Sequence, residues 1–64
     1  PLIRALDDAK PRVRRLAARA LGRIGNPRAR EPLARLLGDA DRDVRLAARQ
    51  ALDELGTERE IPSI

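Results

Sequence analysis

The stretch "VRLAARQALDELG" runs from Val44 to Gly56, and thirty-one residues earlier the chain reads "VRRLAARALGRIG", from Val13 to Gly25. Sliding the 64-residue chain over itself by 31 aligns 33 pairs without a gap, and thirteen of them are identical. The matches are spread along the chain, from Pro1/Pro32 and Leu2/Leu33 through Asp8/Asp39, Val13/Val44 and Ala17/Ala48 to Gly25/Gly56. A period of this size marks stacked supersecondary units.

Each unit reads as two helices. In the second helix of the first unit, Val13, Leu16, Ala17, Ala20, Leu21 and Ile24 recur at helical spacing and define one apolar face. The second unit repeats the face with Val44, Ala47, Ala48, Ala51, Leu52 and Leu55. Pro11 suits the first turn of one long helix and Asp41 the N-cap of the other. Gly25 and Gly56 offer left-handed stops. The first helix of each unit is shorter, with Leu2, Ile3 and Leu6 matched by Leu33, Leu36 and Leu37. Asn26-Pro27 predicts a cap and first turn, and Pro32 a delay or kink beyond it. After Gly56, "TERE" fits a capping box with Thr57 at the cap and Glu60 three residues on. The expected division is repeat one at 1–25, repeat two at 26–56 and the start of a third at 57–64, a window on a longer array.

Composition narrows the chemistry. The chain has no Cys, His, Phe, Tyr, Trp or Met, so its core must come from Leu, Ile, Val and Ala. Thiol and imidazole metal sites are excluded, and so is aromatic stacking on bases. "DADRD" (Asp39, Asp41, Asp43) looks like the start of a calcium loop, but Val44 and Gln50 stand where that loop needs Gly and Glu. No metal and no cofactor is expected. Ser63, Thr57 and Lys10 are each the only residue of their kind, and the carboxylates show no acid–base spacing. A non-catalytic protein is expected. No apolar run is long enough to span a membrane, and the absence of cysteine fits a cytoplasmic location.

Positive charge is almost all arginine, thirteen Arg and one Lys against ten acids, for a net +4. Residues 1–30 carry +7 and residues 31–64 carry −3. On the first long helix Arg15 and Arg19 lie opposite the apolar face, flanked by Arg12 and Arg23. Aligned positions in the second unit are Leu46, Gln50, Asp43 and Glu54, so the basic stripe does not continue. A solvated helix face accounts for these arginines most simply. An acidic protein surface comes second and a nucleic-acid backbone third.

The pattern "D-x5-VR-x2-A-x2-AL-x3-G", followed by "NPRAREPL", resembles HEAT-like repeats of the phycobilisome-lyase type over essentially the whole chain. The resemblance implies an all-α fold, an α-solenoid of antiparallel helix pairs whose second helices line a concave surface that binds other macromolecules. It also implies that Asp8 and Arg14, repeated as Asp39 and Arg45, form an Asp/Arg ladder between units.

The expected function is a protein–protein interaction scaffold. Its partner-binding residues would be Arg15, Arg19, Leu46, Arg49, Gln50 and Asp53, with Ala18 and Gly22 leaving a shallow groove between arginines. Alternatives are nucleic-acid binding through the first unit and a non-catalytic part of a chromophore lyase or other enzyme assembly. Another protein with an acidic surface is the expected partner. Exposed apolar ends also predict a homo-oligomer, with a closed dimer favoured over open end-to-end stacking.

Overall fold

The computed structural model describes residues 2–59 of the chain. Four helices follow one another: α1 (Leu2–Ala5), α2 (Pro11–Ile24), α3 (Arg30–Arg35) and α4 (Arg42–Arg59). They form two pairs, each a short helix and a long one, and there is no strand among the described residues. This is the all-α, helix-pair solenoid that the 31-residue period predicts.

Local chemistry sets the helix ends. Pro11 opens α2 at its first positions, and Gly25 closes it at φ 76°, its N–H donating to the Leu21 carbonyl. The Asn26 side chain accepts from the Arg28 N–H at 2.9 Å. A 3-10 turn over Pro27–Ala29 precedes the regular α3. Pro32 falls in the first turn of α3, where its missing N–H has no intrahelical partner, so the expected delay takes the form of that 3-10 turn. Asp41 caps α4, its carboxylate accepting from the Val44 N–H at 3.1 Å.

The C-terminal end departs from expectation. α4 does not stop at Gly56 but runs through Thr57 to Arg59, and Gly25 is the only described residue with positive φ. The contrast lies in the residues after each glycine. Asn26-Pro27 starts a new element after Gly25, whereas Thr57-Glu58-Arg59 can stay helical. Thr57 is therefore not a cap. The expected start of a third unit otherwise falls on residues 60–64, outside the described ones.

The core is small and aliphatic. Leu6, Leu33 and Val44 are its largest fully buried side chains, and Ala17, Ala48 and Ala51 let the helices approach closely. Ala17 and Ala48, the shared point of both long helices, are buried as the periodicity requires. The second unit buries Val44, Ala47, Ala48, Ala51 and Leu55, with Leu52 half-buried. The first unit does not follow suit. Leu16 is 53% exposed and Ile24 63%, while Ala18 and Gly22 are buried in their stead. The buried side of α2 is turned toward α4, which packs against it. Leu2 and Leu37, expected in the apolar faces of the short helices, are also exposed. A 3-10 turn over Leu36–Gly38 buries Leu36 and leaves Leu37 outside.

Candidate protein-binding groove

The seam between α2 and α4 rests on glycine. A Cβ added to Gly22 would lie 2.7 Å from the Ala51 Cα and 2.8 Å from both the Ala51 Cβ and Glu54 Oε1. No side chain fits there. Ala18 and Gly22 thus belong to the seam and do not form a groove floor between arginines, because α4 occupies the space that they leave.

Arg14 ties one pair to the next. Its Nε donates to Asp39 Oδ2 at 2.8 Å and its Nη2 to Oδ1 at 3.0 Å, a two-pronged ion pair. Its Nη1 donates to the carbonyls of Asp8 (2.7 Å) and Ala9 (3.1 Å). Arg45 repeats the latter contacts with the carbonyls of Asp39 (2.7 Å) and Ala40 (3.2 Å). Asp39 also accepts from the Asp41 N–H, as Asp8 accepts from the Lys10 N–H. Hydrogen bonds from the Arg14 side chain and then the Asp41 N–H hold the Asp39 carboxyl below the usual carboxylate range. The same pairing raises the Arg14 guanidinium. One rung, Arg14 to Asp39, is closed within the described residues. Asp8 and Arg45 are in position for the rungs on either side.

The expected binding residues divide into three places. Arg15 is only partly exposed and belongs to the seam: its Nη1 lies 3.5 Å from Asp43 Oδ2, and its buried Nε has no hydrogen-bond partner among the described residues. Arg19 and Gln50 come together across a small cavity of about 80 Å³, whose other lining residues are Arg23, Ala47, Ala51 and Glu54. Leu46, Arg49 and Asp53 are exposed on the side of α4 turned away from α2, since each residue step rotates the helix by about 100°. Of the six, Arg19 and Gln50 line this cavity, and Arg23 and Glu54 join it from outside the expected set. The signal for both is present in the 31-residue shift, which pairs Arg19 with Gln50 and Arg23 with Glu54.

Arg19 and Arg23 stand one helical turn apart and are exposed, and neither forms an ion pair among the described residues. By contrast Asp39, Asp41 and Asp43, the superficial calcium-loop acids, are each engaged by Arg14, the Val44 N–H and Arg15 respectively.

A pair of stacked two-helix units, joined by a small-residue seam and an Arg–Asp rung, defines a helical-repeat protein. The family model for HEAT repeats matches residues 1–64, so the chain belongs to the HEAT repeats. These repeats generally mediate protein–protein interaction. No curated protein matches the chain. Among the described residues no helix is long and apolar enough to cross a membrane.

Proposed function

We propose that the chain is a non-catalytic protein-interaction scaffold whose groove between α2 and α4 receives a carboxylate from an acidic partner protein. The supporting observation is the groove itself. Two unpaired arginines stand on one wall, Gln50 lies across from them, and Ala47 and Ala51 complete the lining. Such a site suits one side-chain carboxylate, held by charge-assisted hydrogen bonds from the guanidinium groups. Glu54 at the end of the groove repels a second acid nearby, which directs the carboxylate toward Arg19 and Gln50.

Nucleic acid fits less well. Asp43, Gln50 and Glu54 interrupt the phosphate track that Arg12, Arg19 and Arg23 begin. The phycobilisome-lyase subtype, and with it a place in a chromophore-lyase assembly, rests on the repeated motif alone. A neighbouring phycobiliprotein gene would support it.

The test is fluorescence anisotropy with a labelled Glu-rich peptide and, separately, a labelled DNA duplex. Peptide binding should weaken about tenfold in Arg19→Ala, a loss of about 1.4 kcal/mol, with the thermal midpoint unchanged. Duplex binding that exceeds peptide binding, with a steep salt dependence, would favour the nucleic-acid reading.

A further inference from the structure

Across the groove between α2 and α4 the charge changes sign. On α2 the exposed side chains of Arg12, Arg19 and Arg23 are all basic. The 31-residue shift sets Asp43, Gln50 and Glu54 beside them on α4, two acids and an amide, all exposed. Glu54 reaches beyond its own helix. Its Oε1 lies 2.8 Å from where a Cβ on Gly22 would stand, so the carboxylate rests on the bare backbone of α2, one residue before Arg23. It lines the cavity of about 80 Å³ together with Arg19 and Arg23, yet it forms no ion pair among the described residues. The cavity therefore holds an open acceptor as well as two open guanidinium groups.

We infer, resting on the carboxylate reading of this groove, that the partner segment carries a basic residue two positions from its acid, with the acid at Arg19 and the base at the Glu54 carboxylate. The geometry sets the spacing. Arg19 and Glu54 belong to neighbouring helices, so a segment that meets both crosses the seam. Packed helices stand about 8–10 Å apart between axes, and Glu54 leans back over α2, which brings its charge nearer to Arg19 than the axes are. In an extended chain, residues two apart share a face and stand about 7 Å apart. One acid and one base at that spacing reach the two sites without a bend. Charge sets the identity. A single acid leaves Glu54 unpaired under the docked chain, where loss of water makes a lone charge costly. A second acid meets Glu54 as a like charge. A base answers it with a charge-assisted hydrogen bond. Glu54 thus selects, among acidic segments, those in which acid and base alternate.

A role in the fold does not account for Glu54. Its side chain is exposed and has no ion-pair partner among the described residues. Its counterpart in the first unit, Arg23, carries the opposite charge, so the repeat does not require an acid at this position.

The test uses the whole chain, isotope-labelled for NMR, and two peptides with blocked ends and Gly-Ser flanks, one centred on Glu-Thr-Lys and the other on Glu-Thr-Glu. Gln50 is the only glutamine of the chain, so its side-chain amide reports on the groove without ambiguity. Titration should shift that amide with both peptides, and Glu-Thr-Lys should bind at least fivefold tighter. Glu54→Gln should remove the preference and Glu54→Lys should reverse it, with the far-ultraviolet circular dichroism unchanged in both. Equal or tighter binding of Glu-Thr-Glu to the unaltered chain would overturn the inference and leave the carboxylate reading standing. So would a preference for Glu-Thr-Lys that persists in Glu54→Gln, because the base would then meet some other group. A Gln50 amide that responds to neither peptide would sink the carboxylate reading, and this inference with it.

Discussion

Helices α2 and α4 carry nearly the same motif, yet they bury different sides. Both bury the alanine that faces their own short helix, Ala17 and Ala48. Beyond that point they diverge. α4 buries Ala47, Ala51 and Leu55 against α2, whereas the matching Leu16 and Ile24 of α2 are exposed. α2 buries Ala18 and Gly22 against α4, whereas the matching Arg49 and Asp53 of α4 are exposed. A long helix in such a stack thus has two lateral sides, one for each neighbour, and a side is core only where the neighbour is present. Amphipathic periodicity reports the average of these environments. It finds the helix, but it does not tell a side that is covered from one that is open.

The sharpest way to break this comparison is at Gly22. A side chain there collides with the backbone of α4, and backbone cannot swing aside as a flexible side chain can. Gly22→Leu should cost about 3 kcal/mol or more, the upper range for overpacking. In a chain of this size that lowers the thermal midpoint by well over ten degrees, at about 4–8 °C per kcal/mol. Circular dichroism at 222 nm is the measurement, because the chain has no aromatic residue to report on folding. A midpoint within a few degrees of wild type would mean that α2 and α4 do not approach as closely as described.

Next comes a matched pair. Ala18 is fully buried and Arg49, its counterpart in the second unit, is exposed. Ala18→Leu should destabilise by about 1–3 kcal/mol, and Arg49→Leu by no more than about 0.5 kcal/mol in either direction. Equal effects of the two changes in urea unfolding would erase the distinction between the covered and open sides.

The Arg14–Asp39 rung should have a smaller effect, with a signature in pH. Folding holds the Asp39 carboxyl below its unfolded value, chiefly through the hydrogen bond from Arg14. The unfolded state therefore takes up its proton first as pH falls. The rung's contribution is fully present above the unfolded value, about 3.9, and is lost as pH falls through the depressed folded one. Asp39→Asn should melt below wild type at pH 7, and the two melting curves should converge as the pH drops below 4. A gap that stays constant from pH 7 to pH 2 would show that the carboxylate charge contributes nothing.

Much of the fold was legible because repetition doubled every signal. The helix count, the Asp41 and Asn26 caps, the Gly25 stop and the alanine core each follow from residue type and spacing. The Arg14–Asp39 rung was legible only through the family resemblance, since no local rule joins residues 25 apart. The site was less legible for the reason given by α2 and α4. Arg15 has a sequence position that points outward, yet the arrival of α4 draws it into the seam beside Asp43. Leu46, Arg49 and Asp53 share a helix with Gln50 but not its groove. Arg19 and Gln50 occupy the same position of the 31-residue motif, so the alignment alone places them side by side in the stack, and both line the cavity between α2 and α4.

The smallest expected effect, opposite in sign, comes from the two glycines that end the repeated motif. Gly25 has φ 76° and closes α2, a conformation that costs any residue with a Cβ about 1 kcal/mol or more. Gly56 occupies the same motif position but lies inside α4, without positive φ and with open space where a Cβ would go. In a helix interior, glycine is less favourable than alanine by about 0.5–1 kcal/mol. Gly25→Ala should therefore lower the thermal midpoint, while Gly56→Ala should raise it by a few degrees. If Gly56→Ala lowered the midpoint as Gly25→Ala does, then Gly56 would take up the left-handed stop that the sequence motif suggests. α4 would then end at residue 55, and Thr57 would be free to cap a further helix as the "TERE" pattern proposes.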